Sequence, residues 1–219
     1  MNDVARIFKR DFWQEENLKF SQPWYRLEKT RRLVVGLAGG RARDLLDIGC
    51  GPAALMPLVP PNVRYHGIDI AIHVPAPNLI EADLLESPIE FDGKTFDIIV
   101  AQGVFEYFGG HQEQKFAEIA KLLNPGGEFL LTYTNFGHRK AHIYHAVSNV
   151  QPMREFRQSL ARHFSIDRSF PVAYNWKPGH PSKRWLRAAN MPLRANIPLA
   201  GPVLAVEYYF ICSPLRPAA

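Results

Sequence analysis

Cysteine is nearly absent: the 219 residues hold two, Cys50 and Cys212. Two thiols in a chain this long build neither a disulfide framework nor a cysteine-rich zinc site, so the expected home is a reducing compartment, the cytoplasm. Long apolar runs are missing as well. The longest one near the C-terminus, Gly201 to Cys212, is interrupted by Glu207 and falls short of the ~20 residues that span a bilayer. The opening stretch MNDVARIFKRDFWQEEN carries a charge every few residues and lacks the apolar stretch of a secretory signal. Repeats and low-complexity tracts are also lacking, which excludes solenoids and fibres. What is present is 47% apolar, 12% aromatic and 21% charged, a soluble globular composition. The length fits one domain with an appendage and buries about 70% of the unfolded chain's surface, so the core needs no staples.

Acids are scarce in the second part of the chain. Residues 1–137 hold 14 Lys/Arg and 18 Asp/Glu, a balance of −4, while residues 138–219 hold 12 and 3, a balance of +9. Such a basic part fits an anionic partner (nucleic acid, acidic headgroups or a phosphorylated substrate) or an ordinary solvated surface. The charges are spread, unlike the bunched arm of a nucleic-acid binder.

Along the chain, residues 1–42 read as a helical cover, with Phe8, Phe12, Trp13, Leu18, Trp24, Leu27 and Leu33 to Leu37 as apolar faces, stopped by Gly39-Gly40. Asp44-Leu-Leu-Asp-Ile-Gly-Cys-Gly reads as a buried strand running into a tight turn, and Ala53 to Leu58 as a short helix. Strands follow at Val63–Ile70, Asn78–Asp83, Phe96–Ala101 and Glu128–Tyr133, with an amphipathic helix from His111 to Leu123 closed by Asn124-Pro-Gly-Gly. Pro152 to Phe164 reads as a helix, Ile166 to Ala173 as a strand and Val203 to Cys212 as the last strand. Short apolar strands alternating with helices point to a doubly wound α/β sheet with parallel core strands. The chain is expected to form a single domain: 1–42 as cover, 43–134 as ligand-binding core, 135–202 as acceptor-side segment and lid, 203–212 as last strand. Residues 174–200, rich in Pro, Arg and Asn, form an irregular connection too long to lack a job and are read as the lid.

The strongest motif is Asp47-Ile-Gly49-Cys-Gly51-Pro-Ala53, at the end of the first strand. Glycines there let a ligand lie against the backbone, although many α/β proteins need such a turn for structure alone. Asp69, eighteen residues after Gly51, ends the second strand. A carboxylate there can accept bonds from both ribose hydroxyls, as nicotinamide dinucleotides also require. Asp47 disfavours the dinucleotide. A pyrophosphate is repelled by a carboxylate so close to the turn, whereas an ammonium is attracted. S-adenosylmethionine has ribose hydroxyls, an ammonium and a sulfonium, and no phosphate.

The motifs together resemble the class I S-adenosylmethionine-dependent methyltransferases, of the small kind with a type 11/12 methyltransferase domain. LLDIGCGPAAL resembles motif I, HGIDI the acidic end of strand two, EADLLESPI the adenine-side motif, FDIIVAQGVFEYF motif IV and LLNPGGEFLLTY the strand-five motif, in the family's order over residues 44–134. The resemblance implies a seven-stranded, mostly parallel Rossmann-like sheet of order 3-2-1-4-5-7-6, with Val203 to Cys212 as the antiparallel seventh strand. It implies that Asp47, Gly49 and Gly51 line the methionine part, that Asp69 holds the ribose, that Asp83 and the backbone at Leu84 read the adenine, and that Ala101 and Gln102 approach the amino group and the methyl centre. The bland reading of Asp83 is a turn cap, that of Asp97 a structural acid, and that of Glu106 a solvated helix residue. The family often has a third glycine where Ala53 stands; alanine fits provided its φ stays negative. It also often has Leu-Glu-His where this chain has Phe105-Glu106-Tyr107, so a histidine base at position 107 is absent.

Methyl transfer to oxygen calls for a base; a neutral amine needs only its lone pair aligned. After strand five comes a run with His138, His142 and His145, which share one face if helical. The first and last are about 10 Å apart along such a helix, so all three cannot hold one ion, and no metal is expected. His138 and His142 are the candidate catalytic bases, with Tyr107 and His111 secondary and surface or packing roles the alternative. Tyr174, Trp176, Lys177, Lys183, Arg184, Trp185 and Arg187 would suit a polar or anionic acceptor, or simply pack and face solvent. The leading expectation is O-methylation of a small-molecule or sugar acceptor. The rivals are N-methylation of a small amine, RNA or protein, and a non-catalytic binding scaffold. Nucleic acid is disfavoured because Ala101-Gln-Gly-Val stands where nucleic-acid amino-methylases carry Asn/Asp-Pro-Pro-Tyr/Phe.

Overall fold

Glycine-bounded apolar runs become the strands of one sheet in the computed structural model, which describes residues 10–11, 24–135, 151–174 and 205–215. The elements are α1 (Trp24–Ala38), β1 (Arg43–Ile48), β2 (Val63–Asp69), β3 (Leu79–Glu81), β4 (Phe96–Ala101), α2 (Gln112–Leu122), β5 (Leu123–Thr134), α3 (Met153–Ala161), β6 (Phe164–Tyr174) and β7 (Ala205–Pro214). The sheet order is β3-β2-β1-β4-β5-β7-β6, the order expected from the resemblance. β3, β2, β1, β4 and β5 are parallel, and β7 runs antiparallel to β5 and β6.

The parallel strands alternate apolar residues to both faces, as a sheet covered on two sides requires. Leu45, Ile98, Val100, Leu130 and Ile211 pack toward α1, which offers Leu27, Val34 and Ala38 along one stripe. Gly39 and Gly40, both at positive φ, end that helix. Leu46, Ile48, Ile99, Phe129 and Phe210 pack with Phe116 of α2 and Phe156 of α3. This second layer is aromatic: Phe105 stacks on Phe116 with centroids 4.5 Å apart, and Tyr133 on Phe156 at 3.6 Å. Each such ring contributes roughly 1.5–3 kcal/mol by leaving water.

Several boundaries move. Ala53 to Leu58 does not form a helix: it holds turns and one 3₁₀ turn, Met56–Leu58. Positive φ at Gly51 and Ala53 is incompatible with a helix start, and Pro57 and Pro60 leave no room for one later. The helix expected from Pro152 to Phe164 stops at Ala161, because Phe164 already opens β6. β6 is the sheet's outer strand and tolerates Pro171 for that reason. The last strand runs to Pro214, two residues further than read from sequence, and residues 203–204 lie outside the described residues.

Candidate active site

Parallel strands bring their C-terminal ends to one edge of the sheet, where α/β folds bind ligands. Here Ile48 of β1 is in register with Ile68 of β2 and Ala101 of β4, so the segments that follow them emerge side by side. Gly49 turns the chain at φ +68, with its N–H donated to the Ile68 carbonyl at 2.8 Å. A Cβ built on Gly49 would overlap Cγ2 of Val104 and lie 3.0 Å from its Cβ. Ala53 departs from the expectation of negative φ: it sits at +52, where a side chain costs about 1–2 kcal/mol. The turn therefore keeps the geometry of a third glycine without having one.

Asp69 closes this turn. Its Oδ2 accepts the Gly51 N–H at 2.8 Å and its Oδ1 the Ala71 N–H at 3.1 Å. Burial pushes its carboxyl above the ordinary range, and the backbone donors pull it back. Asp47 is 1% exposed and accepts the hydroxyl of Tyr65 at 2.7 Å. Burial raises its carboxyl to about 7, the Tyr65 bond works against that rise, and the charge of Asp69 adds to it. The charge of His73 acts on Asp69 and pulls its carboxyl down, whereas no salt bridge to Asp47 is present among the described residues.

Asp83 caps its own turn, Oδ1 accepting the Leu85 N–H at 2.9 Å, and Leu84 is buried behind it. The cap occupies one carboxyl oxygen only. Asp97 is structural: it accepts from the Asp44 N–H at 2.9 Å, Asn124 at 3.1 Å and Arg43 at 3.3 Å, at the opposite edge of the sheet. Ala101 is fully buried at the end of β4. Next to it, both amide atoms of Gln102 are shielded from water and have no hydrogen-bond partner among the described residues. An orphaned amide is costly unless a ligand completes it. Thus Asp47, Gly49, Gly51, Asp69, Ala101 and Gln102 meet at one edge. His138, His142 and His145, and the lid residues from Trp176 to Arg187, lie outside the described residues.

Three features escaped the sequence reading. Glu106 is 3% exposed, not solvated: its Oε1 accepts both N–H and hydroxyl of Thr134 at 2.8 Å, tying the segment after β4 to the end of β5. Glu207 of β7 is likewise buried and pairs with Arg26 of α1 at 3.3 Å. Burial and the neighbouring Glu207 charge both raise the Glu106 carboxyl. Glu106 lies between two aromatics in a 3₁₀ turn, where no period marks the inward face; only its place within motif IV is a hint. The third feature is the Tyr65 bond to Asp47.

The donor set fits S-adenosylmethionine: two acids for ribose and ammonium, glycine backbone for the methionine, and an unsatisfied amide. A family model, the methyltransferase domain, matches residues 22–177. The chain belongs to that family. It is an S-adenosylmethionine-dependent methyltransferase with the class I fold. No curated protein matches it by sequence. The N-methyltransferase NodS of Bradyrhizobium japonicum, solved with S-adenosylhomocysteine, aligns with TM-score 0.61 at 14% identity, covering 98% of this chain and 100% of NodS. A TehB-like methyltransferase from Corynebacterium glutamicum aligns with TM-score 0.55 at 14% identity, over 90% and 97% of the two chains. Phosphoethanolamine N-methyltransferase 2 of Haemonchus contortus, in complex with phosphomonomethylethanolamine and S-adenosylhomocysteine, gives 0.56 at 13% identity, over 86% and 53%. At these identities the likeness is one of fold. In this methyltransferase no helix of the described residues is long and apolar enough to cross a membrane.

Proposed function

We propose that this methyltransferase acts on a small-molecule or sugar acceptor and transfers the methyl group to a hydroxyl oxygen, with His138 or His142 taking the proton. When bound, S-adenosylmethionine supplies an electrophilic methyl, so the protein's part is to hold, align and deprotonate. In this reading Asp69 accepts the ribose hydroxyls, Asp47 holds the ammonium, Asp83 and Leu84 face the adenine, and Gln102 completes its amide bonds on the methionine end. The observation that carries the acceptor side is the bracing of the β5 end. Thr134 is tied to Glu106, and the Asn135 side chain donates to the Ala205 carbonyl of β7 at 3.1 Å. The chain thus leaves β5 beside the Gln102 segment, and His138 comes three residues later.

His138→Ala and His142→Ala test the base. One of them is expected to lower turnover about 10²–10⁴-fold, the usual share of a positioned base, with S-adenosylhomocysteine affinity unchanged. If both variants turn over normally with binding intact, the assignment is wrong.

A second reading, an amine acceptor, is favoured by Glu106. Oε2 of this buried acid has no hydrogen-bond partner among the described residues, and such a group can take the proton that an ammonium loses to free its lone pair for methylation. A panel of hydroxyl and amine acceptors, followed by S-adenosylhomocysteine release, separates the two.

A further inference from the structure

We propose that Tyr65 is a positioning residue for the methyl donor: its buried hydroxyl pins one oxygen of Asp47 and leaves the other for the donor's ammonium. The inference rests on the role given above to Asp47, and deepens it.

The sheet register produces the contact. β1 and β2 pair Leu45 with Tyr65 and Asp47 with Gly67, so Tyr65 and Asp47 share a face and lie two residues apart along the strands. That is about 6.6 Å at ~3.3 Å per residue, a span a phenol covers and a shorter side chain does not. The place in register with Asp47 on β2 offers no donor: a Cβ on Gly67 would meet Leu79 Cδ2 at 2.7 Å and Cys50 Sγ at 2.8 Å. On β4 the residue in register is Val100, also apolar. Tyr65 is therefore the one side-chain donor to Asp47 among the described residues, at 2.7 Å, and it is itself 6% exposed. A carboxyl group fixed by one strong bond at Oδ2 cannot swing, and its open oxygen is set before any ligand arrives. Such preorganisation spares the ordering cost that a free carboxylate pays on binding.

The groups around Asp47 make the bond consequential. Asp69 on β2 and Cys50 on the turn are acids or potential acids. Tyr209 on β7, bonded to Thr30 of α1 at 2.9 Å, feels the Asp47 charge, and Glu207 adds to it. β4 brings no titratable group to this face. Of these, the Asp69 charge disfavours a charged Asp47, and burial does so most; the Tyr65 hydroxyl is what favours it. Because the carboxyl is raised to about 7, it is largely neutral below that pH and must lose its proton to hold an ammonium. Donor affinity then rises with pH through this region and levels above it.

The test is calorimetric titration of S-adenosylhomocysteine into wild type, Tyr65→Phe and Asp47→Asn between pH 5.5 and 9. Phenylalanine keeps the ring; Tyr65→Met, of similar reach, serves if the first variant does not fold. Wild-type affinity is expected to climb through about pH 7, and Asp47→Asn to bind weakly without that climb. Tyr65→Phe is expected to bind about tenfold more weakly at pH 7.5, the effect of one bond to a charged group, with its midpoint moved upward and its stoichiometry unchanged. A general loosening of the fold would lower stoichiometry and leave the midpoint in place. If Tyr65→Phe superimposes on wild type while Asp47→Asn loses the climb, Tyr65 has no such role and Asp47 keeps its own. If Asp47→Asn matches wild type in affinity and profile, the reading of Asp47 falls, and this inference with it.

Discussion

Asp69→Ala is expected to weaken binding of S-adenosylhomocysteine by about 100-fold or more. The proposed ribose site places two hydroxyls on this carboxylate, and each bond to a charged acceptor contributes roughly 1.5–3 kcal/mol. The same substitution removes the acceptor of the Gly51 and Ala71 N–H groups, so the turn after β1 loses its tie to β2. Asp69→Asn separates the two contributions. Its remaining oxygen can still accept from Gly51, while its amide offers a donor where the ribose needs acceptors, so affinity falls with less loss of stability. Calorimetry and thermal unfolding of both variants measure this directly. Unchanged affinity in Asp69→Ala would remove the ribose from this site.

Gly49→Ala is expected to destabilise the fold strongly. The added carbon overlaps the Val104 side chain, and φ at this position is +68. Overpacking costs about 1–3 kcal/mol and the left-handed conformation of a non-glycine residue about 1–2 kcal/mol more. For a chain of this size the melting temperature should drop by about 5–15 °C, since each kcal/mol moves it ~2–4 °C. The double variant Gly49→Ala, Val104→Ala relieves the overlap but not the backbone strain, and should recover part of the loss. If the single variant melts with wild type, the turn does not have this geometry.

The strands and turns that bring the candidate cofactor residues to one edge are legible in the sequence, because their signals are local. A glycine-bounded turn after an apolar strand, an acid before it and an acid at the end of the next strand each follow from adjacent residues, and parallel topology makes them converge. What was illegible depends on register or on irregular backbone. Tyr65 reads as an alternating strand residue; only the pairing of Leu45 with Tyr65 reveals that its hydroxyl reaches Asp47. Glu106 reads as solvated because charge usually means exposure, and a 3₁₀ turn has no apolar period to say otherwise. Ala53 reads as compatible with negative φ and helix, since alanine carries no warning of the left-handed conformation it takes here beside Gly51, itself at positive φ. The helix expected after the turn failed for the same reason.

A crystal structure of the chain grown with S-adenosylhomocysteine tests the central claim most directly. The ribose hydroxyls are expected on Asp69, the amino acid end over Gly49 and Gly51 with its ammonium at Asp47, and the Gln102 amide in contact with the ligand. A product molecule seated away from both aspartates would contradict it.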